Sequence, residues 1–210
     1  MQESTATPVV CRVHTPRLLL RALHPRDAEA LCRTIAASLE HLQRWMEWAR
    51  HEPQPLEAKV ALLKKMRART LRGPDAAFGM FTPDEGEMLG TIGLHARIGA
   101  GALEIGYWIA AAHARRGYVT EAAGALVKIG FELHRLHRME IHTDPDNRAS
   151  LGVARKLGFQ HQVVVRQRVL SPTAPARDTT IWALTQAQYA ASPAATMKIE
   201  AYDRRGARVL

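Results

Sequence analysis

Cysteine is scarce. Only Cys11 and Cys32 occur in 210 residues, far apart and in no metal-binding or redox spacing. A disulfide scaffold is therefore excluded as the source of stability, and a reducing cytosol is the expected setting. Long apolar runs are missing too: none approaches the roughly 20 residues that span a bilayer. The opening MQESTATPVV lacks the basic and apolar regions of a secretory signal. A soluble cytoplasmic protein with no membrane partner is expected. Acidic residues are outnumbered, 20 Asp and Glu against 29 Lys and Arg, for a net charge of +9. That excess points to an anionic partner, whether nucleic acid, ribosome, phosphorylated cofactor or acidic protein surface, without choosing among them. The ten histidines form no ligand set: His134 and His137 are close but fall at a helix end without nearby cysteine, so no metal is expected. Internal repeats and low-complexity tracts are absent as well.

The length suits one domain with a buried core, read as residues 15–190 between an N-terminal tail, 1–14, and a C-terminal tail, 191–210. Leu18, Leu19 and Leu20 between Arg17 and Arg21 mark a first strand over 17–23. Helical spacing follows over 27–37 and 39–49, the latter placing His41, Trp45 and Trp48 near one face. Pro53 and Pro55 break it, and periodicity resumes over 56–71, with Lys64, Lys65, Arg67 and Arg69 on the outer surface. Strands at 76–82, 88–97 and 102–109 come next. In the last of these, Leu103, Ile105, Tyr107 and Ile109 face one way and Glu104, Gly106 and Trp108 the other. A helix over 120–133, a strand over 139–143, a helix over 147–157, a strand over 159–169, a Pro-rich loop over 171–177 and a strand over 179–184 complete the pattern. Beyond Gln186 lie a short helical piece and a basic tail.

The stretch 114–159 carries most of the chemistry. Arg115, Arg116 and Gly117 precede a helix, so unpaired backbone N–H groups and basic side chains converge on the turn, an arrangement that suits phosphate. An ordinary helix start with exposed arginines would look the same. Asn147 and Ser150 lie three apart at the start of the next helix, on one face; Asn147, after Asp144-Pro145-Asp146, also reads as a helix cap. Glu104 is either a candidate base or a solvated strand glutamate. His41, Trp45 and Trp48 read as a pocket wall or as core packing.

Six stretches in order, TPRLLLR (15–21), HLQRWMEWA (41–49), LGTIGLH (89–95), EIGYWI (104–109), RRGYVTEA (115–122) and NRASLGVARKLGF (147–159), resemble the GNAT superfamily of N-acetyltransferases, within it the RimJ/RimL-like branch of ribosomal-protein N-terminal acetyltransferases. The resemblance covers about residues 15–185. It implies an α/β fold of α+β type, a mixed, mostly antiparallel twisted sheet of about seven strands flanked by helices, with a V-shaped split between the fourth and fifth strands, 102–109 and 139–143. It implies acetyl-CoA as cosubstrate and a primary amine as acceptor: a protein N-terminus or a small molecule such as an aminoglycoside-type or polyamine-like compound. Acetyl-CoA would place its pyrophosphate on Arg115, Arg116, Gly117, Tyr118, Val119 and Thr120, and its pantetheine against the backbone near Ile109 and on Asn147. Ser150 would lie near the thioester sulfur as an acid, Glu104 would serve as base, and His41, Trp45 and Trp48 would wall the acceptor site. Ala114 and Val119 depart from the family's phosphate signature, and Ala154 stands where many members carry a tyrosine acid.

The base need not be strong for one class of acceptor. An α-amino group, with pKa about 8, needs about 1.4 kcal/mol to become neutral at pH 7, whereas a lysine, at about 10.4, needs roughly 4.6. Direct attack on the thioester would require no acyl-enzyme. Two other readings stay open: an acyl-CoA-binding module without turnover, motivated by Ala114, Val119 and Ala154, and a basic nucleic-acid-binding protein, motivated by charge alone. Contact with a ribosome or another anionic surface and assembly as a homodimer are further partner readings.

Overall fold

A computed structural model describes residues 8–169 and 176–210. Alternating strands and helices assemble into one mixed sheet with helices on both faces, and among the described residues the sheet has nine strands in the order β7-β8-β6-β5-β4-β3-β2-β1-β9. The strands are β1 (Val10–His14), β2 (Leu19–Ala22), β3 (Ala76–Phe81), β4 (Met88–His95), β5 (Ala102–Ile109), β6 (Arg138–Thr143), β7 (Gln160–Val169), β8 (Arg177–Thr185) and β9 (Glu200–Asp203). All neighbours are antiparallel except β5 and β6.

The count exceeds the seven expected strands because β1 and β9 lie in segments read as tails. They pair with each other, Val13 opposite Ala201 and His14 opposite Glu200. Short strands whose partner is almost the whole chain away have no local signal. The first expected strand, 17–23, contracts to β2. The Pro-rich loop lies mostly outside the described residues.

Each face buries its own core. On one side α4 (Tyr118–Glu132) and α5 (Arg148–Lys156) cover Leu103, Ile105, Met139 and Ile141. On the other side α1 (Ala28–Ala36), α2 (Leu39–Gln43) and α3 (Leu56–Thr70) cover Leu19, Leu23, Phe81 and Trp108. A short α6 (Gln186–Tyr189) follows β8. The strand 102–109 is buried from both sides, which is why Glu104 is only 4% exposed rather than solvated.

Two details differ from the sequence pattern in ways that shape the site. The helix expected over 39–49 is broken at residues 44–46: α2 ends at Gln43 and a 3-10 turn begins at Glu47. Trp48 is consequently turned away, tilted against Trp108 with ring centroids 5.9 Å apart. Lys59, on the helix expected to be basic outward, is instead buried in an ion pair with Glu52.

The parallel pair holds the expected split. β5 and β6 pair only at Ala102–Arg138, Leu103–Met139 and Glu104–Glu140, after which the strands separate. The Ala110 N–H donates to the Leu89 carbonyl at 2.8 Å, so strand alternation turns the backbone groups of Tyr107 and Ile109 away from β4 and into the gap.

Candidate active site

The turn entering α4 builds the first half of the site. Gly117 occupies the cap position with φ 83°, and Arg115 has φ 60°. A left-handed residue reverses the chain at low cost when it is glycine, and here it starts the helix at Tyr118, two residues earlier than expected. The first N–H groups of α4 thus point into the turn, where the helix dipole favours an anion.

Arg17 braces this turn from β2's approach. Its Nε donates to Glu121 Oε2 at 2.6 Å, its backbone N–H donates to Glu121 Oε1 at 2.8 Å, and its Nη1 donates to the Arg116 carbonyl at 3.0 Å. The Thr15 hydroxyl donates to the same carboxylate at 2.6 Å. The Arg17 guanidinium also lies over the Tyr118 ring, 4.9 Å from the centroid.

A cavity of about 350 Å³ opens beside the turn. Its wall includes Ile109, Arg115, Gly117, Tyr118, Val119, Thr120, Asn147 and Ser150, so eight of the expected cofactor residues come together. Arg116 does not: it is exposed and absent from that wall, and its main-chain carbonyl serves Arg17 instead. Arg148 and Lys156 on α5 add cations that the turn-centred reading passed over.

A second cavity, of about 460 Å³, is lined by Glu104, Arg97, His142, Asp144, Arg168, Arg177 and Asp178. The two cavities share Trp45, Met46, Tyr107, Asn147 and Ser150. Their junction is where a group carried in one could reach a group held in the other. Of the expected aromatic wall, Trp45 lines both cavities and His41 the first, while Trp48 lines neither. Arg177 fixes Trp45 by donating to the Arg44 and Trp45 carbonyls at 3.2 and 3.3 Å.

At the junction, Asn147 Oδ1 accepts the Ser150 N–H at 3.1 Å. The cap uses the amide oxygen, which leaves the NH₂ group for the cavity. Ser150 Oγ and Tyr107 Oη are 2.7 Å apart. Burial pushes the Tyr107 phenol up to about 12, against a smaller lowering by the Ser150 hydrogen bond. Tyr107 was legible only as one of an apolar strand face; its hydroxyl contact depends on α5 crossing the split.

Glu104 sits deeper. Arg97 holds both its oxygens, Nε to Oε2 at 2.8 Å and Nη2 to Oε1 at 2.5 Å, and His142 Nδ1 lies 3.2 Å from Oε2. The other ring nitrogen of His142 meets Glu140 Oε2 at 2.5 Å. Burial acts to raise the Glu140 carboxyl, but hydrogen bonds from His142 and Arg138 outweigh it and hold it below the usual glutamate range. Carboxylate, imidazole and carboxylate therefore form a connected chain leading from the second cavity.

Known proteins resemble this chain in sequence and fold. The acetyltransferase (GNAT) domain family matches residues 17–160. The uncharacterized N-acetyltransferase YoaA of Bacillus subtilis is 29% identical over 175 residues, covering 83% of this chain and 96% of that protein. The [ribosomal protein uS5]-alanine N-acetyltransferase of Escherichia coli is 28% identical over 165 residues, covering 76% and 83%. Among solved structures, Mycobacterium smegmatis RimJ in complex with CoA-disulfide superposes with a TM-score of 0.75 at 26% identity, covering 88% of this chain and 90% of that one.

Proposed function

This chain belongs to the GNAT acetyltransferase family, and we propose that it moves the acetyl group of acetyl-CoA onto the α-amino group of a protein N-terminus at the junction of its two cavities. The observation that carries this reading is that junction: Tyr107, Asn147 and Ser150 belong at once to the cavity at the α4 turn and to the one holding Glu104.

The residues present suit acetyl-CoA. The turn at Arg115–Thr120 offers backbone donors for a pyrophosphate, with Arg115, Arg148 and Lys156 beside it. The free backbone groups of Tyr107 and Ile109 suit the amides of a pantetheine arm, and the Asn147 NH₂ adds a donor. Held there, the thioester faces the second cavity, and an amine in that cavity attacks its carbonyl. Positioning supplies much of the rate. The new C–N bond forms as the C–S bond breaks, the electron pair leaving with sulfur.

Two proton movements remain. The attacking amine loses a proton toward Glu104, directly or through water, and the Glu104–His142–Glu140 chain spreads the charge. The departing thiolate takes a proton from Ser150, replenished by the Tyr107 phenol, which is protonated throughout the neutral range and recovers its proton from solvent once CoA leaves.

Charge favours a peptide N-terminus over a polyamine or aminoglycoside. Every carboxylate in the second cavity already has a cationic partner: Glu104 has Arg97, Asp144 has Arg177 at 3.6 Å, and Asp178 has Arg166 at 2.6 Å. Arg168 has no ion-pair partner among the described residues. A polycation would find no spare anions there, whereas a peptide brings one cation followed by carbonyls that guanidinium groups can bind. The low neutralisation cost of an α-amine agrees with a base as heavily engaged as Glu104. The E. coli relative named for ribosomal protein uS5 alanine supports the same acceptor class.

An acetyl-transfer screen tests this. N-terminal peptides should be acetylated at their α-amine in preference to lysine peptides, spermidine and an aminoglycoside. Preference for the polycations would overturn the acceptor reading, and CoA binding without transfer to any amine would overturn turnover itself.

A further inference from the structure

A third cavity, of about 530 Å³, lies well away from the acetyl-transfer junction, among β1, β2, α3 and the turn after β9. β2 is three strands from β5, so the two sites are separated by about 15 Å of sheet. The wall carries Arg12, Arg21, Arg26, Arg67 and Arg204, with Asp203 as its one carboxylate among the described residues.

The charges do not balance. Arg12 and Arg21 are neutralised by Glu85 at 2.7 and 2.8 Å, and Arg21 also by Asp27 at 2.8 Å. Asp203 is committed to its own turn, where Oδ1 accepts the N–H groups of Arg205 and Ala207 at 2.8 and 2.9 Å. Arg26, Arg67 and Arg204 have no ion-pair partner among the described residues; Arg67 reaches only the Leu23 carbonyl, at 3.5 Å. They arrive from three separate elements, Arg67 half-buried on α3 with Arg26 and Arg204 exposed at the rim. His24 adds a donor: its Nδ1 accepts the Arg26 N–H at 3.2 Å, which leaves a neutral ring's proton on Nε2.

Three guanidinium groups without an ion-pair partner among the described residues border one concavity, an arrangement that an anion would suit. Their planar forks match the oxygens of a phosphoryl group, and the volume is within the range of pockets that hold small organic ligands. We propose that this cavity is a second anion site, binding phosphoryl groups of a nucleotide or oligophosphate independently of the acetyl-CoA site.

The test saturates the full-length protein with CoA, so that the α4 turn is filled, and then titrates pyrophosphate, ATP and a single-stranded RNA oligomer by calorimetry. Pyrophosphate and ATP should bind one further site. Arg67→Ala and Arg204→Ala should each weaken that binding at least tenfold while leaving the acetyl-CoA KM unchanged, which also shows that the variants fold. Arg115→Ala should do the reverse. Binding of RNA alone, with neither pyrophosphate nor ATP bound, would overturn the nucleotide or oligophosphate reading even if both variants abolished it. No binding of any of the three to the CoA-saturated protein, or binding indifferent to both substitutions, would overturn the proposal.

Discussion

The hydroxyls of Tyr107 and Ser150, one on β5 and one on α5, lie 2.7 Å apart across the open end of the split between β5 and β6. A thiolate is a fair leaving group even unprotonated, so an acid here would help without being indispensable. Ser150→Ala and Tyr107→Phe are each expected to lower kcat about tenfold, at or below the lower end of general-acid effects. If the pair acts as one relay, the double variant should be little slower than either single one. Pre-steady-state and steady-state rates on the three variants check this; multiplicative losses would separate the two roles.

Glu104→Gln should slow transfer to lysine-type acceptors more than to α-amines, because the lysine must shed about 3 kcal/mol more to become neutral. Rates measured with matched N-terminal and lysine peptides decide it. Equal loss with both acceptors would remove Glu104 from the base role and leave it as the anchor of Arg97 and His142.

Arg17 is absent from the cofactor cavity's wall, yet it ties the turn that precedes α4 to the carboxylate of Glu121. Arg17→Ala is expected to raise the acetyl-CoA KM several-fold with kcat little changed, because a loosened turn must be reordered on binding. Arg115→Ala should do the same through lost charge. High salt should weaken binding by the Arg115→Ala protein less than by the wild type, while the Arg17→Ala protein should keep the wild-type salt dependence.

Acid should destabilise the fold through identifiable groups. Burial works against the charged form of Asp27, but hydrogen bonds from Arg21 and the His24 N–H outweigh it and hold the carboxyl below its usual value; Glu85 is similarly held by Arg12 and Arg21, and Glu140 by His142 and Arg138. The unfolded chain therefore binds these protons first as pH falls. Their contribution is complete above the unfolded carboxylate range, near 4, and is lost as pH drops through the lower folded values. Urea midpoints should fall steeply below about pH 4, and Asp27→Asn should flatten that acid-side slope while costing about 3 kcal/mol at neutral pH, because Arg21 then keeps only part of its compensation.

Much of this was legible in the amino-acid pattern. The strand 102–109 appears with the expected ends, because its alternation and the glycines before it are local signals. The α4 turn and the Asn147 cap were equally readable, being written in consecutive residues. What escaped was whatever depends on chain segments meeting from afar: β1 against β9, Arg17 against Glu121, and Tyr107 against Ser150. Trp48 escaped for a different reason. Periodicity carried a helix through residues 44–46, where the backbone breaks and turns that ring toward Trp108.

The three residue pairs that join β5 to β6 also set how the molecule can respond to a ligand. Mechanically the nine strands are two blankets sewn together along one short seam, with unanswered main-chain donors and acceptors beyond it. In the proposed binding mode a pantetheine arm would supply the missing stitches, making the cosubstrate in effect an extra strand. Occupancy should therefore be readable in the protein alone, as slowed amide hydrogen exchange at Tyr107 and Ile109.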